Sequence, residues 1–223
     1  MREIILDTET TGLSVENGDR VIEIGCIELL NHMPTGNTLQ IYFNPETKKV
    51  SDEAIKIHKL DNDFLKKQPF FRDRVDDIMK FLSNDTLIMH NAQFDTKMIN
   101  NELNICSRPP MENHIIDTLS LARKKFGSGA ASLDALCKKF DITKGKREVH
   151  GALLDSFLLA EVYVELLGGR QQGFEFSSAK KNTSNKKALK DKTNLIIPTK
   201  EEIETHKNFI KSIKNSLWAK HEY

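Results

Sequence analysis

The sequence predicts an α/β fold: a mixed sheet of about five strands, three antiparallel then two parallel, flanked by helices and followed by a C-terminal flexible tail. Three observations predict it. Residues 3–44 hold three apolar, strand-like runs separated by short polar turns, and short turns favour antiparallel neighbours. From residue 86 onward, short apolar runs alternate with stretches of helical periodicity, the pattern of strands that return parallel through crossover helices. The composition, 39% hydrophobic and 29% charged over 223 residues, suits one good-sized globular domain with an appendage.

The elements follow in order. Residues 3–7, 20–29 (RVIEIGCIEL) and 38–44 (TLQIYFN) read as strands, with turns signalled by Asn17-Gly18 and Gly36-Asn37. Residues 51–58 and 73–83 read as helical. "TLIMHN" (86–91) is a short apolar run ending in polar residues, hence a buried strand. A helix over 94–104, a fifth strand at "HIID" (114–117) and helices over 118–126, 132–140 and 151–167 complete the domain. In the last helix, Leu154, Leu158, Ala160, Val162 and Leu166 form a wide apolar stripe.

After Gly168-Gly169 the texture changes. Residues 177–194 are mostly Ser, Lys and Asn, a flexible basic linker by composition. Order returns over 195–218, where Pro198-Thr199 before Glu201 and Glu202 signals a helix start. Ile203, Phe209, Ile210, Ile213 and Leu217 recur near helical spacing. A single tethered amphipathic helix cannot bury its apolar face alone, so it suits docking on a partner; packing back on its own domain is the other reading. The organisation is thus 1–169 folded domain, 170–176 peptide, 177–194 linker and 195–223 docking segment.

Charge is divided along the chain. Residues 177–223 carry a net +6 and residues 1–176 a net −5, within a total of +1. An acidic body does not grip nucleic acid by bulk charge; it fits a site whose own cations neutralise a phosphate. The six lysines between 180 and 192 could touch DNA, but a solvated tether explains them as well. Cys26, Cys106 and Cys137 are few and far apart, with no CxxC pair, which argues against zinc and against a disulfide framework. They fit a reducing cytoplasm. No apolar run resembles a signal segment or approaches membrane-spanning length.

Chemistry is signalled first by "IILDTETTGL" (4–13), where Asp7 and Glu9 follow an apolar run. Residues two apart on a strand share a face, so the two carboxylates repel unless a cation sits between them. A divalent metal suits them; a strand end frayed into solvent suits them equally. "HNAQFD" (90–95) puts Asp95 at a helix start, and "HGALLD" (150–155) puts Asp155 in the first turns of a helix with His150 before it. At the α-helical period, positions five apart lie about 140° apart, so His150 belongs on the loop and Asp155 on the helix. Singly, these acids read as helix caps or macrodipole partners, and a lone His before a helix is more often structural. Together, four acids and a His fall at strand ends and helix starts of an α/β domain, where sites gather.

"LDTETTGL", "HNAQFD" and "HGALLD" resemble the three motifs of the DnaQ-like DEDDh 3′→5′ exonucleases, and the resemblance spans roughly residues 3–168. "SLDALCKKF" (132–140), "HGALLDSFLLAEVY" (150–163) and the tail "TKEEIETHK" with Trp218 are similar to the branch that proofreads for bacterial replicative DNA polymerases. The resemblance implies an RNase H-like fold and hydrolysis with two divalent metal ions, Mg²⁺ or Mn²⁺. It implies that Asp7, Glu9, Asp95 and Asp155 bind the metals and that His150 is the general base. Glu53 and His58, in "SDEAIKIH", match a pair that contacts the terminal nucleotide; a solvated helix face is the plainer reading of the same residues. Asp7, Thr8, Glu9, Leu13 as an apolar wedge, Asn91 and Phe94 are implied to shape the pocket for the 3′-terminal base.

The resemblance also implies partners: DNA 3′ ends, single-stranded or frayed, and the polymerase catalytic (alpha) subunit through the tail; whether a small accessory subunit binds the nuclease domain is left open by the sequence. "GGRQQGFEF" (168–176) matches a sliding-clamp peptide at Gln171, Phe174 and Phe176, with Arg170 an extra residue before it. The location implied is the cytoplasm, at a nucleoid-associated replisome. Two other functions fit parts of the sequence. A DEDDh exonuclease acting on RNA 3′ ends shares the motifs, since the 2′-OH is read by pocket detail, but needs no such tail. A non-catalytic adaptor bridging polymerase and clamp would not need all five catalytic positions filled.

Overall fold

The computed structural model describes residues 1–127, 129, 131–142, 151–169 and 198–212. The chain divides into two units, Met1–Glu175 and Phe176–Tyr223. In the first unit, β1 (Arg2–Thr10), β2 (Val21–Leu30) and β3 (Met33–Tyr42) form an antiparallel meander. β4 (Thr86–Met89) joins β1 in parallel and β5 (Ile115–Asp117) joins β4 in parallel, giving the order β3-β2-β1-β4-β5. This is the predicted mixed sheet. Helices α1 (Asp52–His58), α2 (Asn62–Leu65), α3 (Phe71–Leu82), α4 (Ala92–Ile105), α5 (Thr118–Phe126), α6 (Leu133–Lys139) and α7 (Ala152–Leu166) complete the unit.

The two-residue period of the strands sorts their side chains between two cores. Ile4 and Leu6 of β1, with Ile24 and Cys26 of β2, pack with Ile78 and Leu82 of α3 and Met98 and Ile99 of α4. Ile5, Ile27, Leu29 and Ile88 pack on the other face with Leu159, Ala160 and Tyr163 of α7. Helices on both faces explain why β1 and β2 read as continuous apolar runs. Each aliphatic side chain fully buried here is worth about 1.5–3 kcal/mol.

Three departures from expectation have local causes. β1 runs on to Thr10, so Asp7 and Glu9 sit inside the strand, opposite Gly25 and Glu23 of β2; the register shifts only after Glu9. The frayed-end reading of the two acids is thereby excluded. β3 starts at Met33 rather than 38, and the hairpin turns at Asn31-His32, both at positive φ (51° and 65°). Contacts from far in sequence favour this turn over Gly36-Asn37: the Met1 ammonium donates to Asn31 Oδ1, and His32 Nδ1 lies 2.7 Å from the buried Glu3 carboxylate. The fourth strand stops at Met89, which leaves His90 and Asn91 in the loop before α4.

In the second unit, α8 (Lys200–Ser212) begins where the sequence signalled. Thr199 and Glu202 cap it reciprocally: the Thr199 amide donates to Glu202 Oε2 at 2.7 Å, and the Glu202 amide donates to Thr199 Oγ1 at 3.3 Å. The peptide 170–176, the linker 177–194, and 195–197 and 213–223 of the docking segment lie outside the described residues. No described helix is long and apolar enough to cross a membrane.

Candidate active site

Three elements converge on the C-terminal half of β1. Ile5, Asp7 and Glu9 share the face that α7 covers. α7 presses closely on β2 there: a Cβ on Gly25 would lie 2.2 Å from the Leu153 amide nitrogen and 2.3 Å from the Ala152 carbonyl carbon. Only a residue without a side chain permits that approach. Asp155, one turn into α7, thus reaches Asp7 and Glu9. Carboxylate oxygens of Asp7, Glu9 and Asp155 all lie within 4.8 Å of one another.

Asp95 arrives from the opposite face. It sits in the first turn of α4, 3% exposed, and its Oδ1 accepts from Thr8 Oγ1 at 2.6 Å. Thr8 alternates with Asp7 and Glu9, so its side chain points toward α4 while theirs point toward α7. Asp95 stands outside the tight group of three, yet near enough to Asp7 to raise its pKa. The strand thus carries acids on one face and the tie to the fourth acid on the other.

Burial pushes the Asp7 carboxyl well above its usual range, and the charges of Asp95, Asp155, Glu9 and Glu23 push it further in the same direction. Burial raises Asp95 to about 7 despite the hydrogen bond from Thr8. Acids packed this closely destabilise one another unless a cation shares their oxygens. An all-oxygen donor set of this kind fits a hard divalent cation such as Mg²⁺ or Mn²⁺.

The segment after β1 is held by Asp19. Its carboxylate accepts from Thr11 Oγ1 and the Ser14 amide at 3.1 Å each, and pairs with Lys48 at 3.0 Å. A Cβ on Gly12 would lie 2.5 Å from Asp19 Oδ2, so a side chain there would displace the Asp19 carboxylate that holds the segment. Leu13 protrudes from this clamped loop, 86% exposed. Asn91 is exposed in left-handed backbone at φ 69°, and Phe94 is half-buried. Glu53 is exposed in the first turn of α1, whereas His58 is buried in its last turn. His58 Nδ1 accepts from the Leu60 amide at 3.0 Å, which leaves the proton on Nε2, a buried atom without a hydrogen-bond partner. Burial lowers the His58 pKa. His150, Gln171, Phe174 and Phe176 lie outside the described residues.

Several residues that hold the site were not singled out from sequence. Arg20 forms a two-pronged pair with the buried Glu102, at 2.8 Å for each prong, and Glu102 also accepts from the Val21 amide at 3.0 Å. This fixes α4 to the start of β2. Asp117 Oδ1 accepts from the Asn91 amide at 3.0 Å and the Ala92 amide at 3.4 Å, capping α4 from β5. Glu23, buried in β2, accepts from the Ala152 amide at 3.2 Å. A charged residue and a glycine on the same face of a buried strand, Glu23 and Gly25 in "RVIEIGCIEL", were the available signal.

Residues 4–163 match the family described as exonuclease. A DNA polymerase III subunit epsilon from Rickettsia felis is 44% identical over 223 residues, covering 96% of this chain and 97% of the relative. The chain belongs to the exonuclease family of the DNA polymerase III epsilon subunits. A Salmonella typhimurium relative of the same name is 40% identical over 177 residues, covering 76% of this chain and 72% of its own length. Among solved structures, the nuclease domain of 3′hExo, a DEDDh family member bound to rAMP, aligns with a TM-score of 0.64 at 23% identity, over 74% of this chain and 91% of that one. Exonuclease X in complex with 5′ overhanging duplex DNA aligns at 0.59 and 22%, over 74% and 90%. These two likenesses concern the fold, and they agree with the RNase H-like sheet expected from the family's motifs.

Proposed function

We propose that the protein is the 3′→5′ proofreading exonuclease subunit of a bacterial replicative DNA polymerase. It removes mispaired 3′-terminal nucleotides and releases 5′-mononucleotides. The observation that carries this reading is the convergence of Asp7, Glu9 and Asp155 within 4.8 Å, in a chain similar to epsilon subunits along nearly its whole length.

Asp7, Glu9, Asp95 and Asp155 are the residues that would hold two divalent ions. Bound there, such ions would supply activation of water, neutralisation of the phosphoryl oxygens and assistance to the leaving 3′-oxygen. His150 takes the proton of the attacking water; an imidazole with an ordinary pKa near ~6.5 does this at neutral pH. Leu13 wedges against the terminal base, and Thr8, Asn91, Phe94, Glu53 and His58 line its pocket. Selectivity follows from access: only an unpaired end enters, and a mismatched end costs less to unpair. The docking segment 195–223 holds the polymerase alpha subunit, and Gln171, Phe174 and Phe176 hold the sliding clamp. The setting is the cytoplasmic, nucleoid-associated replisome.

The test is digestion of 3′-labelled matched and mismatched DNA primer–templates, and of an equivalent RNA, with Mg²⁺, with Mn²⁺ and with chelator. Metal-dependent release from DNA, faster at mismatches, is expected. His150→Ala should lower turnover by about 10²–10⁴-fold, the range for a general base. Release from RNA alone would move the protein to RNA-end processing.

A further inference from the structure

The first turn of α7 has no cap of its own. Its N-cap is Gly151, which carries no side chain to accept from the free amides that open the helix. The acceptor comes from β2 instead. Glu23 Oε2 accepts from the Ala152 amide at 3.2 Å. The other oxygen, Oε1, accepts from Gln40 Nε2 at 2.8 Å, and Gln40 Nε2 in turn donates to Tyr42 Oη at 2.8 Å. Glu23 is 1% exposed, so its carboxylate is held from β3 on one side while it holds α7 on the other. Two further devices dock the same turn: the missing side chain of Gly25, and Ser156 Oγ, which donates to the Gly25 carbonyl at 3.0 Å.

The strand register gives these contacts a purpose. Asp7 pairs with Gly25, and Glu9 pairs with Glu23. The β2 residues that hold α7 are therefore the direct partners of the two acids that Asp155 must meet. We infer that Glu23 is a positioning residue for the metal site: by capping α7 from β2 it sets the distance at which Asp155 joins Asp7 and Glu9. Glu23 does not itself belong to the group of three acids. The inference rests on the metal-binding reading of that group.

The experiment is Mn²⁺ binding by calorimetry on the full-length chain, with thermal stability and exonuclease kinetics alongside. It compares wild type, Glu23→Gln, Glu23→Asp and Ser132→Ala. Gln keeps the reach and an acceptor oxygen but loses the charge. Asp keeps the charge but is one methylene too short to cap. Ser132→Ala removes the cap of α6, whose Ser132 Oγ accepts from the Ala135 amide at 3.2 Å, and serves as a control for lost stability alone. Glu23→Asp should weaken Mn²⁺ binding by about 10–100-fold, the usual cost of losing a residue that orients a ligand. Its kcat should fall with little change in KM for the DNA end. Glu23→Gln should stay near wild type, and Ser132→Ala should lower the melting temperature with unchanged Mn²⁺ affinity. The reverse order, with Gln weak and Asp intact, would overturn the inference and make Glu23 an electrostatic contributor. Equal losses in Glu23→Asp and Ser132→Ala would also overturn it, leaving a structural cap only. A wild type that binds no Mn²⁺ would bring down the metal reading and this inference with it.

Discussion

Asp95 shows at the scale of one residue what a buried acid costs the fold that holds it. Its carboxyl is buried, with a folded pKa of about 7 against an ordinary value of 3.8. Between those two pH values the native state keeps a proton that the unfolded chain has released. Stability from this group is therefore full below the unfolded value and is lost as pH rises through the folded one. Metal-free wild type should lose stability relative to Asp95→Asn between pH 5 and pH 8, on the order of 1–4 kcal/mol given ~1.4 kcal/mol per pKa unit. Mn²⁺ at pH 8 should restore the wild type more than the variant. Thermal melts at the two pH values, with and without metal, measure this; a gap that does not change with pH would sink it. The residue types were legible in the sequence because parity along β1 put Asp7 and Glu9 on one face. The tie of Thr8 to Asp95 was not, because it joins residues 87 positions apart through a strand's opposite face.

At the scale of elements, the two acid-bearing helices are both fastened to β2 by buried carboxylates. α7 is held by Glu23, and α4 by Glu102 through Arg20 and the Val21 amide. Glu102 has a side chain 1% exposed, so its charge has no water to fall back on; Arg20, 14% exposed, is its charge partner. Arg20→Met would strand the Glu102 charge and should destabilise the domain by about 3–5 kcal/mol, the range for breaking a buried pair. Arg20→Met with Glu102→Gln should recover most of that, since Gln still accepts from the Val21 amide. Urea denaturation of the three proteins checks both statements, and equal stability of the single and double variants would refute the stranded-charge account. The strands and longer helices were legible from periodicity. Their joints were not: α2 is four residues long, too short to show a period. The β2–β3 turn was misplaced because Gly36-Asn37 is the stronger local turn signal, while Asn31-His32 is chosen by Met1 and Glu3.

At the scale of the whole molecule, the proposed activities fall in different stretches of chain. The acids lie between residues 7 and 155, whereas the clamp peptide and the docking helix lie beyond 170. α8 exposes Ile203 by 38% and Phe209 by 63%. Exposed apolar side chains on a helix suit a groove on a partner, the role proposed for this segment. Ile203→Asp with Phe209→Asp should weaken binding to the polymerase catalytic subunit by about 2 kcal/mol or more, as expected when interface anchors are lost. Phe174→Ala with Phe176→Ala should weaken clamp binding by a similar amount, for the same reason. Neither pair includes an acid of the site, so turnover on a short mismatched primer should stay at the wild-type level. The two pairs should also be independent of each other: each partner's pull-down responds to its own pair only. Loss of both partners with either pair would mean that the region beyond 170 acts as one docking surface. Loss of turnover with either pair would mean that this region contributes to the nuclease itself.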